Sequence, residues 1–290
     1  MSDEPQHPLT PFLRMDRMPH IWCPGCGLGI ATRCFADALD KAGLDPDKIA
    51  IVSGIGCSGR VAGYVRLDSF HTTHGRAIPF ATGLKLARPD LEVVVFSGDG
   101  DLVAIGGNHL IHAARRNIDL TVICVNNLNY GMTGGQVGPT TPQSATTTTT
   151  PYGCFEPPFN VPKLVEACGA TYVSRFTTLD PRRLTDSMAQ ALKRRGFRFV
   201  EVIAPCPELY GRRNRIGQGI DFMQFYQDNA QLEQDASLDQ LDIGFQKSFV
   251  VGRFVDRERA SYSDLQEERF KKVLGKDYRG IDGGEGERRG

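Results

Sequence analysis

The chain has 290 residues, room for one large domain or two small ones, and carries 34 Lys and Arg against 34 Asp and Glu. A formal net charge of zero gives no basic footprint for nucleic acid or for an anionic membrane surface. No apolar run approaches the ~20 residues that a membrane span requires, and the polar start MSDEPQHPLTPF lacks the regions of a signal peptide. The expected location is the cytoplasm.

Residues 1–20 read as an N-terminal arm. Trp22-Cys23-Pro24-Gly25-Cys26-Gly27 then sets two thiols at CxxC spacing, on a turn that brings both sulfurs to one side. By itself this suits a zinc half-site, a redox dithiol or part of an iron–sulfur site. The chain has eight cysteines, and a reducing cytosol argues against a disulfide framework. Cys34, Cys124 and Cys168 sit in apolar-periodic stretches and read as small core residues. Cys154 gets no role. Cys57, in Ser53-Gly54-Ile55-Gly56-Cys57-Ser58-Gly59, and Cys206, in Ala204-Pro205-Cys206-Pro207, have loop-like surroundings similar to those of the CxxC pair. Four such cysteines can hold one [4Fe–4S] cluster or a structural zinc, and their spacing does not choose between them. His71 and His74 flank a Thr pair before Gly75-Arg76. Taken singly, both histidines and Arg76 read as structural.

Leu91–Ser97 and Asp119–Val125 read as buried parallel strands, and the apolar-periodic stretch Leu102–Asn117 between them predicts a helix. This crossover puts Gly98-Asp99-Gly100-Asp101 and Asn126-Asn127 at the carboxyl ends of strands, where open α/β sheets bind ligands. Asp99, Asn127 and the main-chain carbonyl of Asn129 offer hard oxygens to Mg²⁺, with a diphosphate completing the octahedron. The glycines of Tyr130-Gly131-Met132-Thr133-Gly134-Gly135-Gln136 let main-chain N–H groups approach phosphate oxygens. Gly138–Pro158 is a Thr- and Pro-rich loop without periodicity. A helix starting at Val161, a strand over Thr171–Phe176, a helix opened by Asp180-Pro181 and running through Ala191, and a strand over Phe197–Ile203 follow. The expected fold is α/β: a mostly parallel, doubly wound sheet with helices on both faces, filling residues 21–212. Residues 213–290 form a charged C-terminal extension. It has room for a helix within 221–240, a modest apolar stretch at 244–254 and a disordered end from Gly280.

The GDG tripeptide, separated from Asn126-Asn127 by residues 101–125, resembles the signature of thiamine diphosphate enzymes. A longer set of pieces resembles the beta subunit of the 2-oxoacid:ferredoxin oxidoreductases, especially the two-subunit 2-oxoglutarate type. They are CPGCG at 23–27, GIGCSGR at 54–60, HTTHGRAIPFATGLKLARPDLEVVVFSGDGD at 71–101, NNLNYGMTGGQ at 126–136 and APCPE at 204–208. The resemblance implies a thiamine diphosphate-binding fold and one [4Fe–4S] cluster on Cys23, Cys26, Cys57 and Cys206. It implies Mg²⁺ on Asp99, Asn127 and Asn129. Ile55, Gly56, Cys57, Ser58, His74, Gly98, Gly100, Asp101, Gly131 and Met132 would contact the coenzyme, and the Gly138–Pro158 loop, a surface linker by composition, would instead be ordered against the active site or the partner.

The activity so implied is oxidative decarboxylation of 2-oxoglutarate, or the reverse reductive carboxylation of succinyl-CoA. Coenzyme A takes the acyl group, and the cluster passes single electrons to ferredoxin. Zinc has no redox chemistry, so the reaction tips the cysteine assignment toward iron. His74 is expected at the reacting centre, and Arg60, three residues past Cys57, is expected to grip the distal carboxylate of 2-oxoglutarate. The competing readings are a pyruvate- or 2-oxobutyrate-specific member, a non-oxidative thiamine decarboxylase with structural zinc, and a zinc-stapled scaffold subunit. The sequence after Cys206 is too short and too charged for a second coenzyme-binding domain. An alpha subunit is therefore expected to supply the pyrimidine-side Glu and most coenzyme A contacts, in an alpha-beta heterodimer or a dimer of it.

Overall fold

The computed structural model describes residues 7–280. The start of the expected N-terminal arm (1–6) and nearly all of the expected disordered end (281–290) lie outside the described residues. Six parallel strands form the body of the sheet: β1 (Ile49–Ser53), β2 (Asp68–His71), β3 (Glu92–Gly98), β4 (Leu120–Asn126), β5 (Tyr172–Thr177) and β6 (Phe197–Ile203). With β7 (Ala230–Leu232) and β8 (Phe249–Asp256) the order is β2-β1-β3-β4-β6-β5-β8-β7. β8 runs antiparallel to β5. The central strands β1, β4, β5 and β6 are buried along their whole length, because helices cover both faces of the sheet.

Strand alternation divides the core. Ile51, Val94, Phe96, Ile123 and Val200 pack on one face with α1 (Leu28–Ala42) and α5 (Pro181–Leu192). Val52, Val93, Val95, Val122 and Phe199 pack on the other with α2 (Ala77–Ala87), α3 (Gly107–Arg115) and α4 (Val161–Ala167). Asp180 caps α5 by accepting the Arg183 N–H at 3.1 Å, with Pro181 in the first turn, as its sequence position foretells.

Two expectations change. Leu102–Asn117 is not one helix: Gly100–Ile105 forms a wide π-helical turn, and α3 begins only at Gly107. The Gly106 N–H reaches back five residues to the Asp101 carbonyl at 2.9 Å, a closure that holds the segment after β3 open toward the strand ends. The extension carries the helix expected within 221–240 and a strand over the expected apolar stretch, and it goes further than its charge suggested. α6 (Gly219–Asn229), β8 and α7 (Tyr262–Leu274) are formed, and Phe222, Tyr226, Phe249 and Val251 build a third core with Leu128 and Tyr210. Among the described residues no helix is long and apolar enough to cross a membrane.

Candidate active site

β2 lies on one side of β1 and β3 on the other, so the chain changes direction there and opens a crevice at the strand ends. Ile55, Gly56, Cys57 and Ser58 follow β1; Gly98, Asp99, Gly100 and Asp101 end β3; Asn127 and Asn129 through Thr133 follow β4. All of these, with His74 from the segment before α2, line one cleft. The structure thus brings together every residue expected at the coenzyme and the Mg²⁺ ion. Arg60 is the exception. It stands exposed on the short helical turn Ser58–Gly63, outside the cleft lining, and makes no ion pair among the described residues.

Asp101 organises one wall. Its Oδ1 accepts the Gly75 N–H at 2.8 Å and the Ile55 N–H at 3.2 Å, and its Oδ2 accepts the Ser97 hydroxyl at 2.9 Å. His74 donates through Nδ1 to the same Oδ1, which leaves Nε2 free at the cleft. Gly54 has to be glycine here: a Cβ would lie 2.0 Å from Asp101 Oδ2, a carboxylate too firmly held to give way. Gly100 is equally constrained, with Tyr130 Cε1 2.2 Å from where its Cβ would be. His71 lies outside the cleft; its Nδ1 meets the Gly59 carbonyl at 3.0 Å, a structural bond that fixes the turn after Cys57.

Asp99 and Asn129 make the opposite wall, and both are buried. Burial pushes the Asp99 carboxyl up to about 6, against the opposing pull of the Thr140 hydroxyl and the main-chain N–H groups of Gly100 and Asn127. The side-chain Oδ1 of Asn129 is buried without a hydrogen-bond partner, an acceptor left over in a carboxylate-bearing pocket. Together with Asp99 and Asn127 it fits a site for a hard cation and its anionic ligand. The expected donor was the Asn129 carbonyl; the unsatisfied side-chain oxygen adds a second candidate atom on the same residue.

The Thr-rich loop was expected to be ordered against the active site or the partner, but Thr140 was not singled out. Its hydroxyl lies 2.6 Å from Asp99 Oδ2 and 2.9 Å from Asn126 Oδ1, so the Thr-rich loop is ordered against the site. Thr141 donates to the Leu128 carbonyl at 2.6 Å and is equally buried.

The four loop cysteines come from three separate segments, and Cys23, Cys57 and Cys206 lie near enough to Cys26 to add to burial in opposing its ionisation. Cys57 belongs to the cleft itself, and Asn129 Nδ2 points at Cys206 Sγ at 3.8 Å. Burial pushes the Cys26 thiol up to about 12 and the Cys57 thiol to about 11. The CxxC turn is clamped on two sides: a Cβ on Gly25 would meet the Gly219 backbone at 2.7 Å, and one on Gly27 would meet Thr178 and Pro205. Trp22 Nε1 donates to the Cys57 carbonyl at 2.8 Å and ties the two cysteine loops together. Cys34 and Cys124 are buried in the cores, as expected, and Cys168 packs at the edge of one.

Residues 54–202 match the C-terminal TPP-binding domain of thiamine pyrophosphate enzymes, the region that contributes most of the cleft. The 2-oxoglutarate synthase subunit KorB of Methanothermobacter marburgensis is 51% identical over 260 residues, covering 89% of this chain and 90% of the relative. The chain belongs to the KorB family of 2-oxoglutarate synthase subunits. The KorB of Archaeoglobus fulgidus is 49% identical over 85% of this chain and 91% of its own length. A solved structure of 2-oxoglutarate:ferredoxin oxidoreductase from Magnetococcus marinus, with 2-oxoglutarate, coenzyme A and succinyl-CoA bound, superposes with a TM-score of 0.81 at 32% identity. It covers 91% of this chain and 90% of that one. The α/β fold of this KorB-family chain is therefore the thiamine diphosphate-binding fold that its GDG and NN motifs resembled.

Proposed function

We propose that this chain is the beta subunit of a coenzyme A-dependent 2-oxoglutarate:ferredoxin oxidoreductase, holding thiamine diphosphate through Mg²⁺ and one [4Fe–4S] cluster. The observation that carries the reading is Cys57: it lines the coenzyme cleft and also belongs to the four-cysteine group. One loop thereby joins the place where a 2-oxoacid would lose CO₂ to the place where electrons would leave.

Asp99, Asn127 and Asn129 would hold the Mg²⁺, and the turn from Gly98 to Asp101, with Gly131 and Met132, would receive the diphosphate. Thiamine diphosphate, when bound, supplies the electron sink for decarboxylation. The chain's own residues position it. Asp101 locks the Nδ1 side of His74, so Nε2 can accept or hold a proton at the reacting centre. The missing Cβ at Gly54 and at Gly100 lets Asp101 and Tyr130 pack directly against the backbone of these loops.

Cys23, Cys26, Cys57 and Cys206 would hold the cluster, which when bound passes one electron at a time. Zinc at the same four thiols has no redox chemistry and would pass no electron, so the reaction favours iron. Iron binding would also displace the protons that burial holds on Cys26 and Cys57. Arg60, at the outer end of the Cys57 turn, would read the distal carboxylate.

Among the described residues the chain carries one coenzyme-binding fold, and an alpha subunit would supply the pyrimidine-side Glu and most coenzyme A contacts. The test is oxygen-free co-purification of the two subunits. It should give about four irons and four acid-labile sulfides per beta chain, one thiamine diphosphate, and 2-oxoglutarate-dependent ferredoxin reduction. Serine at any of the four loop cysteines should abolish the visible absorption, and alanine at Cys34 or Cys168 should not. A holoenzyme without acid-labile sulfide, or turnover by the isolated beta chain, would overturn the reading.

A further inference from the structure

Electrons that reach the cysteine group from the cleft need an exit. Cys23 is the exposed member of the four. It and Cys26 line an open depression separate from the coenzyme cleft, and its rim at Pro24, Gly25, Gly219 and Met223 continues into a groove floored by the start of α6. The surface is apolar around the sulfur: Ile21 is 63% exposed, Ile220 76% and Met223 51%. The charged residues lining the two depressions are three arginines, Arg33, Arg212 and Arg215, against the single Glu208. Arg212 meets Glu208 at 2.5 Å, Arg33 has only a 3.6 Å contact with Asp37, and Arg215 makes no ion pair among the described residues. In a chain whose formal charge balances to zero, this is a local positive excess at the most accessible cysteine.

We propose that this apolar, arginine-rimmed groove at Cys23 is the docking site of an acidic one-electron carrier protein. The proposal rests on the cluster assignment above. A small apolar centre within a charged rim is the make-up of a weak, transient interface, in which charge sets the encounter rate and apolar contact seats the partner. With a cluster held by the four cysteines, each docking event would pass one electron to the oxidised carrier, with no bond or proton transferred. The two electrons of one 2-oxoacid oxidation therefore reduce two carrier molecules in turn. The arginines suit acidic side chains; the phosphates of coenzyme A are the other anion they would attract, and the experiment separates the two.

The assembled alpha-beta holoenzyme carrying Arg33→Glu and Arg212→Glu is compared with wild type at equal visible absorption of the cluster. The substrates are an acidic ferredoxin and the small cationic acceptor methyl viologen. The kcat/KM for ferredoxin should fall about tenfold or more at low salt, and its dependence on ionic strength should flatten. The viologen-linked rate and the KM for coenzyme A should not worsen. The neutral pair Arg33→Gln and Arg212→Gln should give a smaller fall in the same direction, and it keeps the test open if the double reversal assembles poorly. Ferredoxin kinetics within twofold of wild type in both variants would overturn the docking site. A rise in the coenzyme A KM without a ferredoxin effect would assign the arginines to that substrate's phosphates instead. Absence of acid-labile sulfide from wild type is a different outcome, which would remove the cluster assignment itself.

Discussion

Thr140 Oγ1 lies 2.6 Å from Asp99 Oδ2, with both side chains buried. The hydroxyl has one hydrogen and two oxygen neighbours, since Asn126 Oδ1 lies 2.9 Å away. When Asp99 is a carboxylate the hydrogen goes to it, and this charge-assisted bond fixes which oxygen remains for a cation. Thr140→Val should therefore weaken Mg²⁺-dependent coenzyme binding by about 1.5–3 kcal/mol, roughly 10- to 150-fold in Kd. Thr140→Ser should recover most of it. Calorimetric titration of the cofactor-free complex with thiamine diphosphate and Mg²⁺ measures this, and an unchanged Kd in the valine variant would remove Thr140 from the site.

Behind Asn126 the polar chain continues inward. Asn126 Nδ2 donates to Glu201 Oε1 at 2.8 Å, and Glu201 Oε2 accepts from Arg175 Nε at 2.6 Å. Arg175 also donates to the Leu241 carbonyl at 2.7 Å, which links the extension to the strand end that carries the site. Arg175 and Glu201 are 1% and 0% exposed. Glu201→Ala would leave the guanidinium buried without its counter-charge, at a cost of about 3 kcal/mol or more. Urea unfolding of the subunit should show a clearly lower midpoint. A midpoint shift worth under ~1 kcal/mol would mean that water or a neighbour replaces the carboxylate.

The division between what the sequence revealed and what it hid follows from chain separation. Asp99 and Asn127 follow the neighbouring strands β3 and β4 of a single strand–helix–strand crossover, at a fixed spacing and among glycines, so they stand out as a motif. Cys57 and Cys206 could be read because each lies in an irregular segment rather than an apolar stripe. Thr140 reaches Asp99 across 41 residues and Glu201 reaches Asn126 across 75, with no local pattern to announce either contact. The family resemblance pointed to the loop as a whole, and nothing in its Thr-rich composition singled out Thr140. The tail was partly legible for a related reason. β8 lies on the apolar stretch and α7 is a charged helix that buries none of its residues, but the third core appears only when Phe222, Tyr226 and Phe249 meet.

β8 is pinned at its end by a bidentate pair. Arg194 Nε and Nη2 each donate to an Asp256 oxygen at 2.8 Å, and this guanidinium holds the Asp256 carboxyl below its ordinary range. A carboxyl whose folded value is depressed adds stability above its unfolded value, near 4. That stability disappears as the pH falls through the lower folded value. Arg194 is 41% exposed, so solvent screening limits the pair to about 1 kcal/mol or less. Asp256→Asn should lower the urea midpoint slightly at pH 7 and speed hydrogen exchange in β8. The difference from wild type should shrink as the pH drops below about 4. A gap that persists undiminished in acid would assign the effect to packing rather than to charge.

Arg60 gives the sharpest test of substrate choice. It stands three residues beyond Cys57, outside the cleft lining, and is not committed to an ion pair among the described residues. If its guanidinium reaches the substrate, it has a partner in 2-oxoglutarate and none in pyruvate, because only the former carries a second carboxylate. Arg60→Leu should therefore lower kcat/KM for 2-oxoglutarate by about 10- to 100-fold, the worth of a charge-assisted bidentate contact. Pyruvate turnover should change little. The fall should lie mainly in KM, since the distal carboxylate is bound equally in the ground and transition states. Steady-state kinetics of the holoenzyme with both acids decides the matter: an unaltered ratio of the two kcat/KM values would place the selecting cation on another residue.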